Sequence, residues 1–380
     1  MSVLEDLIKK HCPDGVEYVE LNSVIDYEQP SKYIVQDTKY NNDYDVPVLT
    51  AGQSFILGYT NEKDGIYKAN KKEPVIIFDD FTTSFHWVDF NFKVKSSAMK
   101  ILKVIDENKS NFRYLYYCMK NIKYIPIEHA RQWIEKYSKF TIPLPPIEVQ
   151  KEIVHILDTF TEYQDCLNEE LTLRKKQYEY YRNKLLTFRN DKSQWKRLGD
   201  IAHIVMGQSP DSKSYNKNNI GLPFLQGCAT FGTVYPLINT YSSDIKKIAV
   251  NGSILMSVRA PVGKLNIANT DICIGRGLCS INSNCEVSNK YIFYSLKNSI
   301  KYISDKYKGA IFDSITSDGI RNLKIPVPPL EEQERIVKIL DRFDALCNDI
   351  SSGLPAEIEM RKKQYEYYRD KLLTFKEKKV

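Results

Sequence analysis

Ile142-Pro-Leu-Pro-Pro-Ile-Glu-Val-Gln150 returns 183 residues later as Ile325-Pro-Val-Pro-Pro-Leu-Glu-Glu-Gln333. The likeness runs on to Phe160 and Phe343. Beyond it, Arg174-Lys-Lys-Gln-Tyr-Glu-Tyr-Tyr-Arg-Asn-Lys-Leu-Leu-Thr-Phe188 returns as Arg361 to Phe375, with only Asn183/Asp370 changed and an offset of 187. The second copy thus carries four extra residues between Phe343 and Arg361. A long internal repeat settles organisation before any single element is assigned. It cuts the 380 residues into a variable segment (1–141), an arm (142–194), a second variable segment (195–324) and a second arm (325–380).

Each arm opens on prolines, which cannot lie inside a helix. After Pro146 the spacing of Ile153, Leu157, Phe160, Gln164, Leu167, Leu171, Arg174, Tyr178, Tyr181, Leu185 and Phe188 alternates 4 and 3 without a break, a heptad seam. At 1.5 Å per residue, Ile147 to Phe188 predicts roughly 60 Å of helix. The second arm repeats the seam at Ile336, Leu340, Phe343, Cys347, Ile350 and Leu354, then at Ile358, Arg361, Tyr365, Tyr368, Leu372 and Phe375. Its inserted residues step the seam by 4 and 4, and Gly353 and Pro355 predict a broken helix there. Intramolecular pairing, packing on the neighbouring domains and an intermolecular coiled coil all satisfy this pattern. The length-matched repeat favours an intramolecular antiparallel pair. Tyrosines 178, 181, 365 and 368 then pack the seam, and Tyr180 and Tyr367 are left for partner contact.

The variable segments resemble each other faintly. Val46-Pro-Val-Leu49 echoes Leu222-Pro-Phe-Leu225, and Tyr114-Leu-Tyr-Tyr117 echoes Tyr291-Ile-Phe-Tyr294. Strand-like runs at 46–50, 74–78, 90–94, 252–258 and 271–274, with helical stretches at 111–124 and 290–303, read as two mixed domains. The chain carries a formal charge of +6, and all of the excess lies in residues 195–324, which hold 16 basic and 8 acidic side chains. Residues 1–141 hold 19 and 20. Hydrophobic residues at 42% exclude wholesale disorder. No stretch approaches the roughly 18 apolar residues of a membrane span. Glu5 and Asp6 argue against a secretion signal at the N-terminus, so the expected location is the cytoplasm. Eight cysteines without a CxxC argue against a disulfide framework or structural zinc.

Catalytic motifs are missing. Pro145-Pro146 and Pro328-Pro329 follow Leu and Val and stand at helix starts, so they are not the Asn/Asp-Pro-Pro-aromatic tetrapeptide of a methyltransferase. Gly275-Arg-Gly277 lacks a third glycine, and Gly263-Lys264 has no upstream Gly at Walker spacing. Asp79-Asp80 has no Glu-x-Lys to complete a nuclease site and reads as a solvated turn. The five histidines form no local cluster, and no Gly-x-Ser-x-Gly is present. The chain therefore reads as a binding module with no catalytic residues, metal site or cofactor of its own.

The Pro-rich helix starts, their glutamines and the Arg-Lys-Lys-Gln-Tyr-Glu-Tyr-Tyr-Arg tracts resemble the specificity subunits of type I restriction-modification systems. Gly252-Ser-Ile-Leu-Met-Ser-Val-Arg-Ala-Pro-Val-Gly263, the Gly207-Gln-Ser-Pro210 loop and Trp133 to Pro146 are similar to stretches of that family. The resemblance covers the whole chain and implies an α+β fold. Two globular target recognition domains are separated by two long helices that form an antiparallel coiled coil, with pseudo-two-fold symmetry. It implies double-stranded DNA as ligand, read as a split, asymmetric sequence. It also implies two modification (methyltransferase) subunits docked on the arms and restriction (motor) subunits reached through the complex. S-adenosylmethionine, ATP and Mg belong to those partners. Arg, Lys, Asn and Gln on loops read base edges, and Lys, Arg and Ser hold phosphates. On that basis the candidates are Gln29, Lys32, Gln53, Arg131 and Gln132 in the first domain. In the second they are Gln208, Ser209, Lys213, Tyr215, Arg259 and Arg276. Surface or structural polarity remains the plainer reading of any one of them. A coiled-coil scaffold that does not touch DNA is the alternative.

Overall fold

Val75-Ile-Ile-Phe-Asp79 has almost no exposed face, and the first variable segment is built around it. A computed structural model describes residues 2–52, 54–127, 130–188, 194–284, 287–306, 314–349 and 351–378. The chain divides into two units, Met1–Asp165 with Arg361–Val380, and Cys166–Met360. The first contains α1 (Ser2–His11), β1 (Glu17–Glu20), β2 (Ile25–Glu28), β3 (Val46–Leu49), β4 (Ile56–Thr60), β5 (Val75–Asp79), β6 (Phe85–Val88), β7 (Lys93–Val94), β8 (Met99–Val104), α2 (Phe112–Asn121) and β9 (Thr141–Leu144). An antiparallel sheet runs in the order β2-β8-β5-β6, and a smaller one runs β4-β3-β7 with β3 and β7 parallel. Alternate side chains of a strand face opposite ways. Ile76, Phe78 and Leu102 therefore enter one core with α2, while Val75, Ile77, Met99 and Ile101 enter a second with Leu49, Val94 and Phe92.

The second unit repeats the plan. After α3 (Ile147–Leu186) come β10 (Gln194–Arg197), α4 (Leu198–Ile201), β11 (Ala202–Met206), β12 (Tyr215–Asn216), β13 (Leu222–Leu225), β14 (Tyr241–Ser242), β15 (Ile248–Ala249) and β16 (Ile254–Ser257). β17 (Leu265–Ile267), β18 (Ile272–Ile274), β19 (Leu278–Ser283), α5 (Asn289–Lys306), α6 (Ser317–Arg321) and β20 (Lys324–Val327) complete it. The sheet order β11-β19-β16-β17 matches that of the first unit, and the parallel pair β13/β18 matches β3/β7. The two faint sequence echoes thus mark equivalent strands, β3 and β13, and equivalent helices, α2 and α5.

The openings of the repeats are the last strands of the globular layers. β9 pairs antiparallel with β1, setting Pro143 opposite Tyr18, and β20 pairs with β10, setting Pro326 opposite Trp195. The arms proper are α3 in the first repeat and, in the second repeat, two separate helices, α7 (Leu330–Asn348) and α8 (Leu354–Leu372), as the insertion predicts. Within the first unit Phe160 stacks on Tyr368 at 5.5 Å and Arg361 lies 5.3 Å over Tyr163, so α3 and α8 run antiparallel. Within the second unit Tyr178 and Tyr181 both stack on Phe343, at 6.0 and 5.7 Å, and Leu171 joins the core that holds Cys347. That pairing of α3 with α7 is antiparallel too.

The seam keeps its heptad at Ile153, Leu157, Leu167, Tyr178, Ile336, Leu340 and Leu372, all buried. Phe160, Leu171, Phe343, Tyr365 and Tyr368 are half-buried, and Ile350 lies outside the described residues. Past Tyr178 the buried line moves to Arg182 and Leu186, leaving Tyr181 36% exposed and Leu185 half-buried. An ideal helix drifts against a strict 3.5-residue repeat, and the α3 terminus packs on α5 and the sheet as well as on α7.

The expectation of a solvated turn at Asp79-Asp80 fails at its second residue. Asp79 does cap a turn, accepting the N–H of Phe81 and Thr82 at 2.9 Å. Asp80 is not solvated: it is 1% exposed, accepts the backbone N–H of Trp133 at 2.8 Å and of Gln132 at 3.1 Å, and faces the buried Lys100 ammonium at 3.4 Å. A buried carboxylate needs such partners, and here it ties the segment around Trp133 to the sheet.

Candidate nucleic-acid interface

Each globular layer sends its polar loops from one end of its four-stranded sheet. In the second unit, Met206 faces Cys279 and Ser257 faces Leu278, so β11 ends, β19 begins and β16 ends together. Gln208, Ser209, Lys213, Tyr215, Arg259 and Arg276 all lie on the segments that leave this end. Gln208, Lys213, Arg259 and Arg276 are exposed, and the three cations make no ion pair among the described residues. Tyr215 is half-buried, stacked on Phe224 at 4.6 Å with its hydroxyl on the Pro210 carbonyl at 3.2 Å. Burial holds its phenol above the ordinary value, with Arg276 opposing. Tyr215 therefore braces the loop.

Ser209 is half-buried and spends its hydroxyl internally. It accepts the Arg276 N–H at 3.2 Å and donates to Gln226 Oε1 at 2.9 Å. The Gly275-Arg-Gly277 loop explains its glycines here. A Cβ on Gly275 would lie 2.7 Å from Gln226 Oε1, and one on Gly277 would lie 2.6 Å from the Gln226 carbonyl. The loop is a close-packed mount for Arg276. Gln226 is exposed and had no sequence signal, because a single Gln after a strand belongs to no motif.

In the first unit, Gln29 and Lys32 are exposed and follow β2, whose Glu28 faces Ile101 near the start of β8. Arg131 is exposed, and its neighbour Gln132 attaches to Asp80 at the same sheet end. Gln132 is corrected. It is 1% exposed, takes the Tyr124 hydroxyl at 2.7 Å and donates to the Ala130 carbonyl at 2.8 Å, so its amide is structural. Gln53 lies outside the described residues.

The joint between each layer and its arm was missed from sequence and is built twice from the same bonds. Tyr114 donates to the Pro143 carbonyl and Tyr291 to the Pro326 carbonyl, each at 2.9 Å. Asp158 receives Arg113 at 2.9 Å and the Tyr117 hydroxyl; Asp341 receives Lys290 at 2.6 Å and the Tyr294 hydroxyl at 2.7 Å. Burial and these carboxylates hold both phenols well above the usual tyrosine value. The echo of Tyr114–Tyr117 in Tyr291–Tyr294 was the signal for it. Among the described residues no cluster of three or more His, Cys, Asp or Glu could hold a metal ion, and no helix is long and apolar enough to cross a membrane.

The profile of the Type I restriction modification DNA specificity domain matches this chain twice, over residues 13–174 and 190–360. The chain is 40% identical to the type I restriction enzyme EcoR124I/EcoR124II specificity subunit of Escherichia coli, over 99% of this chain and 97% of that one. It is 32% identical to a putative type I restriction enzyme specificity subunit of Haemophilus influenzae, over 85% and 86%. Its fold is similar to a chain from a structural study of type I restriction-modification complex assembly (TM-score 0.61, 24% identity, 95% and 98% covered). It is similar also to the type I system S subunit of M. genitalium (TM-score 0.60, 14% identity, 94% and 96% covered).

Proposed function

The chain belongs to the type I restriction-modification DNA specificity family, and on that premise we propose that it reads DNA sequence for a methyltransferase/endonuclease complex. Each unit reads one half of a split, asymmetric double-stranded target. The observation that carries this reading is the duplicated layer, docked on its arm by the same bonds in both units, with exposed amides and unpaired cations on the loops at one sheet end. Two like layers with different loops suit two different half-sites. Readout belongs to side chains on loops that enter a groove, and unpaired Lys and Arg suit phosphates. A scaffold without DNA contact gives these loops nothing to do.

The subunit performs no catalysis. S-adenosylmethionine, ATP and Mg act on its partners, and the complex works in the cytoplasm. Two modification subunits dock on the arms, and restriction subunits join through them. Tyr180 and Tyr367 support the number two: they are 60% and 63% exposed, each 5.3 Å from the tyrosine that follows it, at 78° and 73°. Such matched aromatic surfaces suit two copies of one partner. Long-read mapping of methylated bases in cells carrying this subunit and its methyltransferase partner tests the whole reading. One split motif with a fixed gap is expected. An unsplit motif, or methylation independent of this subunit, would overturn it.

A further inference from the structure

Gln226 stands at the centre of the loop cluster of the second unit, and its amide is held in one orientation. Ser209 Oγ accepts the Arg276 backbone N–H at 3.2 Å and donates its proton to Gln226 Oε1 at 2.9 Å. Gly275 presses on the same amide from beneath, where any Cβ would collide with it. The Gln226 carbonyl takes the Gly277 N–H at 3.1 Å, and the Leu225 carbonyl takes the Gly275 N–H at 2.8 Å. The backbone on both sides is therefore locked. What the side chain still offers is one Oε1 lone pair and both Nε2 hydrogens, which have no partner among the described residues, on an exposed residue. An acceptor beside a donor is the pattern that pairs bidentately with adenine N6 and N7 in the major groove.

We propose that Gln226 reads an adenine in the half-site of the second unit, and that Ser209 is a positioning residue that orients it and does not itself touch DNA. This rests on the DNA-reading function above. An amide held by protein bonds loses less freedom on binding than a loose one, which favours it over its exposed neighbour Gln208 as the discriminating residue.

The test uses the complex with its methyltransferase partner and long-read mapping of methylated sites. In Gln226→Ala, one A·T position of one half-site should relax, with discrimination falling roughly 5- to 150-fold, while the other half-site and the gap stay fixed. Gln226→Glu keeps the size but offers only acceptors, and should move the preference at that position toward cytosine. Ser209→Ala should relax the same position more weakly, and Ser209→Thr should restore it. The unaltered half-site reports in each case that the protein is folded. An unchanged motif in both Gln226 variants, or relaxation at a G·C position, overturns the proposal. Absence of any sequence-dependent methylation with the unmodified chain would instead overturn the broader DNA-reading function.

Discussion

Gln150 donates from Nε2 to the carbonyl oxygen of Pro145 at 2.7 Å, one turn back along the start of its own helix. Gln333 makes the same bond to Pro328 at 2.8 Å. Each then accepts, at Oε1, the N–H of the residue that precedes the domain helix: Asn111 before α2 at 2.8 Å and Ser288 before α5 at 3.0 Å. The amide thus joins arm and layer, which explains why glutamine returns in both repeats. Both residues are at most 1% exposed, so water cannot replace the bonds. Gln150→Leu keeps the volume and strands these groups. We expect a loss of about 2–4 kcal/mol in urea unfolding, and a like loss for Gln333→Leu. A change below about 0.5 kcal/mol, the range of ordinary surface substitutions, would show that the amide does not hold the joint.

Alkaline pH should loosen the cores of both units. Burial pushes the thiols of Cys118 and Cys279 up to about 12, and raises the phenols of Tyr114 and Tyr137. A raised value in the folded state means that the neutral form is favoured by folding. Its contribution is whole below the unfolded thiol value near 9 and is lost as pH climbs toward 12. Urea midpoints should therefore stay level from about pH 7 to 8.5 and fall above about pH 9. Replacing both cysteines by alanine should flatten the first part of that fall. A midpoint level to about pH 11 would contradict the assignment.

Lys213 is exposed on the loop of the second unit, where the excess positive charge of the chain resides. An exposed lysine without an ion pair among the described residues suits a phosphate. Lys213→Ala should weaken binding to all DNA sequences alike and reduce the slope of log K against log salt by about 0.9, leaving the methylated motif unchanged. A changed motif would make Lys213 a base reader. The isolated chain should bind DNA weakly at physiological salt, since the first variable segment has no positive excess.

The sequence made the frame legible and the interior polar groups illegible, for a physical reason. Heptads and prolines act through local geometry, so α3, the break before α8 and the strand equivalence of Val46–Leu49 with Leu222–Leu225 could all be read. Whether a polar residue faces water depends on the tertiary fold. Asp80 and Gln132 look like turn and loop residues, yet both are buried: Asp80 accepts the Gln132 and Trp133 backbone N–H groups, and the Gln132 amide bonds to Tyr124 and Ala130. Arg182 took the buried place expected of its neighbour Tyr181, where the end of α3 shares a core with α5, whose Lys297 lies 5.9 Å over the Tyr178 ring. Gln226 carried no motif at all; only the approach of Ser209 and Gly275 marks it out.

The four extra residues of the second arm are absorbed locally. Asp349 accepts from the Ser351 and Ser352 hydroxyls, and the Gly353 N–H bonds to the Asp349 carbonyl at 3.0 Å. Gly353 sits so near the end of α7 that a Cβ would lie 2.4 Å from the Ala345 carbonyl. Gly353→Ala should therefore destabilise the second unit by about 1–3 kcal/mol. The first arm has no Gly or Pro between Ile147 and Leu186 with which to make such a turn. Four helix-forming residues inserted between Cys166 and Leu173 must lengthen α3 itself, by roughly 6 Å. Mapping of methylated sites should then show an altered gap and two unaltered half-sites. The same four residues inserted between Ser351 and Ser352 should enlarge the turn and leave the gap as it was. Altered half-sites after the α3 insertion would mean that the arm shapes the reading loops and does not act as a spacer.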